Sequence, residues 1–500
     1  MTQPNSIRDR LSKSSYLRGL QCEKSLYLSR YRPELREEPD ADRVQVFKQG
    51  TNIGLLARKL FPGGVAADEK PDGIDQVEYT RQLMDAGHAV IYEAAFSHGG
   101  VYCAVDILLR DGHEWEVFEV KSSLGVRETH FIDAAVQYYV LSGAGLRLED
   151  VCIVHLNADY VRGETIDVEQ LFSFTAVLEE CVIRQEEVRD NVERLRAVLR
   201  EPNPPIVKIG EHCASPYQCD FKAHCWKDIP DVSIFDLPRL KSHRRFELYE
   251  SGVVRIEDIP EDFPLGKAEI AAQAHRTGET HVDVEGIRGF MSTLTEPVCY
   301  MDFETVFPAV PWFKGTRPYQ QIPFQFCFGR IEHGFAYWTD FVASTGFDPR
   351  GAFIENLLAA AEESEGSILV YNKAFEIARL LELARLFPSE RRWVFAVIRR
   401  IRDLLDVFRS GFFYDPRMMG SNSIKSVLPV FAPEMSYARL EIQDGGSASA
   451  AYEALGNAHY NDERNTIRKA LIRYCRNDTE GMHRILEGLK RLAFENTGGK

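Results

Sequence analysis

The chain has 500 residues, 44% hydrophobic, 27% charged and 11% aromatic. This balance suits several packed domains and excludes a mainly disordered, collagen-like or coiled-coil molecule. Its 60 basic and 75 acidic side chains leave a formal net charge of −15, which argues against wholesale coating of nucleic acid but leaves room for a local basic groove.

No apolar run reaches bilayer-crossing length, and the stretch from Met1 to Arg18 is charged with no apolar core. No membrane partner and a cytoplasmic location are therefore expected, with ten reduced cysteines serving as ligands or core residues. The chain divides into three parts. In residues 1–230, strands are predicted over 89–97, 101–109 and 113–121, joined by turns at His98-Gly99-Gly100 and Asp111-Gly112, as in an antiparallel meander. Helices are predicted over 129–141 and, from apolar positions at helical spacing, over 168–200, where Pro202, Pro204 and Pro205 stop the chain. Residues 231–290 form a charged helical connector. There Leu248 to Val253, with Ile256 and Ile259, suggests half of a helix-hairpin-helix that grips phosphates through the Gly252 turn. In residues 291–500, strands over 298–305, 324–331, 335–341 and 368–371 precede helices over 351–363 and 462–492. The fold class expected is α/β (α+β), mixed sheets with helices packed on them.

Three constellations carry chemistry. Glu119 and Lys121 are two apart on the third strand and share a face. A hairpin brings Asp106 beside them. Two carboxylates at one point repel unless a cation sits between them, and a divalent ion there would polarise a phosphodiester. The pattern Asp106 … Glu119-Val120-Lys121 … Gln137 resembles the RecB-like branch of the PD-(D/E)XK nucleases. The resemblance implies Asp106 and Glu119 as Mg2+ or Mn2+ ligands, Lys121 as a catalytic helper and Gln137 as a substrate-positioning residue. Leu141 stands where that branch has a Tyr, and Gly50 to Gly54 carries no His ligand, a gap that Glu93 on the first strand is expected to fill.

Cys213, Cys219 and Cys225 are spaced C-x5-C-x5-C, and Cys22 stands about 190 residues earlier. Four thiolates suit a tetrahedral zinc or an iron–sulfur cluster. One early and three late cysteines around this core resemble the iron–sulfur staple of AddB-type and CRISPR-associated RecB-like exonucleases, which implies a [4Fe–4S] cluster closing a long loop. The other six cysteines are read as core residues.

Asp302 and Glu304 share a strand face, and Tyr474 and Asp478, four apart, share a helix face. With Asn372-Lys373-Ala374-Phe375-Glu376 after a short strand, this resembles the DEDDy exonucleases of the DnaQ-like, RNase H-related fold. That implies Asp302, Glu304 and Asp478 as metal ligands, Glu376 as the fourth acid (in place of the family's Asp) and Tyr474 as orienting the attacking water. Asp403 and Asp406 are read as supporting residues. The whole chain is similar to a bacterial family that joins a RecB-like iron–sulfur nuclease module to a DnaQ-like module, with Ile322 to Phe326 and Gly420 to Lys425 as further matching segments.

The architecture so implied is a restriction-endonuclease-like domain, a connector and an RNase H-like domain. The function so implied is a metal-dependent DNA nuclease trimming single-stranded ends in repair or defence. The alternatives are a non-catalytic nucleic-acid-binding scaffold and an RNA 3′-end exonuclease. Residues 1–36, with eight Lys/Arg against three acids, and residues 391–402, with five arginines and no acid, are candidate phosphate contacts. Tyr16, Tyr27, Tyr31 and Trp393 are candidate stacking residues for unpaired bases.

Overall fold

The computed structural model describes residues 9–39 and 41–494 and is a mixed α/β protein with sheets of seven, five and two strands. It divides into two compact units. One runs up to Asp228 and includes Pro308–Tyr319; the other comprises Ile229–Phe307 and the chain from Gln320 onward. Residues 231–290 thus belong to the second unit. Among the described residues, no helix is long and apolar enough to cross a membrane.

The first unit is built on strands β1 (Leu11–Ser12), β2 (Val65–Ala66), β3 (Val90–His98), β4 (Val101–Asp111), β5 (Glu114–Lys121), β6 (Leu148–Leu156) and β7 (Phe172–Ala176), in the order β2-β3-β4-β5-β6-β7 with β1 beside β4. β3, β4 and β5 form the expected antiparallel meander, and β6 runs parallel to β5. One face packs Val105, Leu108 and Val117 against Ala134 and Leu141 of the helix Glu128–Gly143 and Leu195 of the helix Gln185–Arg200. The other packs Ile107, Phe118 and Val154 with Ala309, Val310 and Tyr319, which is why Pro308–Tyr319 belongs here. The predicted helix over 168–200 is interrupted. After Val168–Leu171 the chain forms β7 on the sheet edge, then helices Leu178–Ile183 and Gln185–Arg200. The aromatic and hydroxyl side chains of Phe172-Ser173-Phe174-Thr175 suit a half-buried strand, and pairing with β6 overrides the helical spacing.

The second unit holds the five-stranded sheet in the order β11-β10-β9-β12-β13 and a small pair, β8 (His281–Val282) with β14 (Phe413–Tyr414). β9 (Cys299–Val306), β10 (Ile322–Glu332) and β11 (Phe335–Val342) are antiparallel, whereas β12 (Ile368–Val370) and β13 (Ile401–Asp403) run parallel to β9. Met301 and Phe303 of β9 point into a core shared with helices Arg350–Glu362, Lys373–Leu386 and Arg391–Arg400. In the expected helix-hairpin-helix, the helix Ser242–Glu250 and the Gly252 turn (φ +91°) are present. A 3-10 turn, Ile256–Asp258, takes the place of the second helix.

Asp403 is structural. Its buried carboxylate accepts the N–H groups of Asn372 (2.8 Å), Lys373 (3.0 Å) and Leu405 (3.1 Å). It thereby fixes Asn372, in the left-handed region at φ +85°, as the entry to the helix that carries Glu376; Asn tolerates that region better than most residues. Asp406 pairs with Lys373 at 2.9 Å. Asp403→Ala leaves three N–H groups without their acceptor, so urea unfolding should show a loss of roughly 2–4 kcal/mol, partly restored in Asp403→Asn.

Candidate metal centre and two accompanying clusters

In the first unit, β5 pairs with β4 only from Ile107 onward, and β1 takes the open place beside Val101 and Tyr102. Ser12 then turns the chain into the helix Lys13–Gln21. Its hydroxyl accepts from the Ser15 N–H (3.1 Å), and the Ser15 hydroxyl accepts from the Ser12 N–H (2.6 Å), a capping box. This delivers Lys13, whose Nζ donates to Glu119 Oε1 at 2.6 Å and lies 3.6 Å from Asp133. Lys121 Nζ donates to the same Glu119 oxygen at 2.6 Å and also to Asp133. Asp106 sits one step beyond the Ile107–Phe118 pair and accepts the Val120 N–H at 2.6 Å.

Burial, then the charge of Glu119, pushes Asp106 up to about 7. Burial would raise Glu119 too, but Lys121 and Lys13 outweigh it and hold this carboxyl below its usual range. Burial disfavours the charge on both lysines, yet Asp133 and Glu119 hold them protonated. Gln137, 1% exposed, lies one helical turn from Asp133, and both its amide atoms are buried without a hydrogen-bond partner. The expected Asp106, Glu119, Lys121 and Gln137 are therefore gathered. Lys13 and Asp133, which sequence reasoning missed, complete the cluster. Glu93 departs from expectation: it pairs with Arg58 at 3.0 Å and sits at φ +51°. Among the described residues, no three acids here bring ligand atoms within 4.8 Å of one another.

The four expected cysteines, Cys22, Cys213, Cys219 and Cys225, line one pocket together with Lys24, Lys208 and Lys222. Arg18 anchors this segment by a bidentate pair with Asp220 (2.5 and 3.0 Å), and Gln21 donates to the carbonyls of His212 (2.7 Å) and Tyr217 (2.6 Å). Among the described residues, no three of these sulfurs lie within 4.8 Å of one another. A tetrahedral zinc would hold them about 3.8 Å apart, from a Zn–S bond of about 2.3 Å. Of the other six cysteines, all are buried except Cys152, which is half-buried.

The second unit gathers the remaining acids. Asp302 and Glu304 leave β9 on the face opposite Met301 and Phe303, toward the helix Asn461–Phe494 that carries Tyr474 and Asp478. Carboxylate oxygens of Asp302, Glu304 and Asp478 lie within 4.8 Å of one another. Among the described residues, none of the three forms an ion pair. Asp478 accepts from the Tyr437 hydroxyl, and Asp302 from the Cys475 thiol at 3.5 Å. Burial, followed by mutual repulsion, keeps Asp302 and Glu304 well above the carboxylate range. Burial pushes Asp478 up to about 7 against the pull of Tyr437 and Lys425. Glu376 stands outside the trio, 1% exposed, its Oε2 without a partner and its acidity weakened by burial and by Asp302. Tyr474 is buried, and its ring meets that of Tyr437 edge-on with centroids 6.3 Å apart. Tyr437 and Lys425 were not assigned roles from the sequence; Tyr437 lies in a 3-10 turn that carries no pattern.

The candidate stacking residues divide. Tyr16 and Tyr27 are buried in the core, whereas Tyr31 and Trp393 are exposed. In the arginine run, Arg400 and Arg402 donate to backbone carbonyls. Near the N-terminus, Arg18 and Arg36 pair with Asp220 and Arg32 with Glu34; Arg8 lies outside the described residues.

Residues 299–423 match a family described as a domain of unknown function (DUF2779); this stretch carries Asp302, Glu304 and Glu376 but not Asp478. The chain is also similar to an uncharacterized protein of Mycoplasma genitalium, 30% identical over 145 residues, 27% of this chain and 22% of that protein. A homologue of that protein in Mycoplasma pneumoniae is 30% identical over 212 residues, 38% of this chain and 31% of its own length. The chain thus spans between a fifth and a third of the length of these relatives.

A divalent ion taken up by the trio would compete with protons. Raised carboxyls hold protons at neutral pH, so ion uptake must release them. The apparent affinity for Mn2+ should rise as pH increases through about 7, where Asp478 loses its proton, and continue to rise as the raised Asp302 and Glu304 lose theirs. Calorimetry in buffers of different ionisation enthalpy checks this by counting the protons released.

Proposed function

We propose that the chain is a divalent-metal-dependent nuclease acting on phosphodiester bonds of DNA, with Asp302, Glu304 and Asp478 as its metal centre. The observation that carries this reading is the trio itself: three carboxyl groups within 4.8 Å and without an ion pair among the described residues. Buried like charges persist where a cation is to sit between them. Divalent ions bound there would polarise a phosphoryl oxygen and make a hydroxide nucleophile available near neutral pH. Tyr437 orients the Asp478 carboxylate, and Tyr474, one helical turn away, is placed to position the attacking water. Glu376 would supply a fourth carboxyl group from the adjoining helix, charged once a cation is bound nearby. The strand order β11-β10-β9-β12-β13 supports an RNase H-like, DnaQ-type domain.

In the first unit, the antiparallel meander with Asp106, Glu119 and Lys121 supports a PD-(D/E)XK, RecB-like module. There Lys13 and Lys121 neutralise Glu119 and would face a substrate phosphate when Asp106 and Glu119 hold a metal. The four cysteines suit a [4Fe–4S] cluster better than zinc, because among the described residues no three of their sulfurs lie within 4.8 Å of one another and three lysines offset the negative charge of a thiolate-ligated core. The net charge of −15 favours a narrow, single-stranded path over duplex wrapping.

Incubation with end-labelled single-stranded DNA and Mg2+ or Mn2+ tests the reading. Wild type should shorten the label; Asp302→Asn should lower the rate at the second site at least ~100-fold, the order of an electrostatic contribution. Asp106→Ala and Lys121→Ala should do so at the first site in an Asp302→Asn background. Tight DNA binding without cleavage by wild type would instead assign a scaffold, and faster cleavage of RNA than DNA an RNA-processing enzyme. Anaerobically purified protein should be brown and carry iron and acid-labile sulfide, both lost in Cys213→Ser; a colourless, zinc-loaded protein would remove the cluster from the proposal.

A further inference from the structure

The second unit contains a pocket of the opposite charge. It has a volume of about 530 Å³ and shares no residue with the acidic trio; Arg239, Lys241, Arg244 and Lys267 line it, and no acid does. Two turns bring these cations together. Arg239 takes a left-handed conformation, φ +63°, steadied by its guanidinium donating to the Phe408 carbonyl at 3.2 Å. The chain then enters the helix Ser242–Glu250 with Lys241 at the N-cap, a position whose side chain makes no capping bond. Gly266, at φ +57°, opens the 3-10 turn Gly266–Ala268 that carries Lys267.

The four cations are not equally neutralised. Arg244 bonds Glu247 at 2.6 Å and lies 4.2 Å over the Phe263 ring. Arg239, Lys241 and Lys267 are exposed and, among the described residues, form no ion pair. Like charges gathered in one pocket repel, and the uncapped helix start adds partial positive charge on the same side. Such a pocket is completed by an anion. Its volume falls in the range of pockets that hold a nucleotide-sized ligand, about 300–1,000 Å³, and is far larger than one small ion needs. Leu240 and Leu265, both buried, line the pocket beside these cations, which suits a chain of phosphates whose sugars offer C–H surface between them.

We infer that this pocket binds the backbone phosphates of single-stranded nucleic acid and forms a substrate-holding site of the second unit. The inference rests on the nuclease reading for the identity of the polymer, but it differs from the Gly252 turn singled out in the sequence, since the charged groups converge at residues 239–244 and 264–267.

The test is equilibrium binding of a fluorescein-labelled oligothymidylate by anisotropy, in an Asp302→Asn background without divalent metal, over a series of salt concentrations. Each neutralised phosphate contributes about 0.7 to the slope of log affinity against log salt for a single strand. The double change Lys241→Gln with Lys267→Gln should therefore lower the slope by about 1.4 and weaken binding several-fold at low salt, and each single change should give about half that. In parallel, with Asp302 intact, hydrolysis of a small chromogenic thymidine phosphodiester should be equal with and without the Lys241→Gln and Lys267→Gln changes. An unchanged slope and affinity would overturn the inference while leaving the nuclease reading intact. So would inorganic phosphate binding to wild type, lost in the double variant, with no change in oligonucleotide binding, because the pocket would then be a small-anion site. If the chromogenic diester is not hydrolysed even by wild type, the cleavage reading fails, and the salt slope still decides the pocket.

Discussion

Three carboxyl groups held within 4.8 Å of one another inside the protein set the constraint around which the second unit is arranged. Two unit charges at that distance repel by about 3 kcal/mol even at an effective dielectric constant of 20, and three such pairs meet here. The fold does not relieve this with an arginine. It uses protons, the Tyr437 hydroxyl and the Cys475 thiol, all of which can give way to a cation. Close packing along its helix helps to hold Asp478. Gly481 lets Leu428 approach to where a Cβ would stand 2.7 Å from it, and Gly488 does the same for Phe431 at 2.3 Å. A buried bond from Gln325 of β10 to the Leu471 carbonyl, 2.7 Å, ties the same helix to the sheet. The helix that carries the acid is thus anchored by close packing that glycine permits, and the repulsion is opposed by dispersion and burial.

The first unit meets a similar problem with the opposite device. Glu119 receives two ammonium groups on one oxygen, and Asp133 shares them, so the acids are neutralised by fixed cations rather than by protons. Asp106, by contrast, retains a raised affinity for a proton. The helix that begins at Lys13 ends at Gln21, directly before Cys22. At 1.5 Å per residue it spans about 13 Å, a rigid strut between the acidic cluster and the cysteine pocket. Arg18 and Gln21 along that strut bond the cysteine-bearing segment directly. Whatever orders the cysteines therefore also fixes the height at which Lys13 meets Glu119.

Much of this was legible in the sequence because it rests on local periodicity. The strands of the meander, β9 to β11 and the long terminal helix fall where alternation and helical spacing put them, and Glu119 with Lys121 on β5 and Asp302 with Glu304 on β9 share faces as the strand period requires. The misses arose where tertiary pairing decided. Phe172–Ala176 joined a sheet edge instead of continuing a helix, and β6 and β13 were not marked by alternation because pairing with neighbouring strands, not side-chain pattern, defines them. Asp133 was invisible since a single acid on an apolar helix has no pattern. Glu93 was placed on the right strand, but its partner Arg58 comes from a segment whose position no periodicity reveals.

Lys13 did leave a trace, and it shares that trace with other residues near the acids. A lysine in the first turn opposes the helix dipole; here it comes directly after a serine cap in Ser12-Lys13-Ser14-Ser15. Glu93 occupies a left-handed conformation inside a strand, and Asn372 does so at the entry to the Glu376 helix. Around Glu93 and its cross-strand neighbour Asp106 the side-chain alternation also slips. Ile91 and Ala94 face one core and Tyr92 the other, just as Val105 and Leu108 are divided from Ile107. Each of these breaks a local preference at a cost of order 1 kcal/mol or more, and such costs persist where surrounding structure over-determines them. Arg239, Tyr319, His333 and Met419 also take the left-handed conformation, so such an exception points to a site only where a buried carboxyl accompanies it.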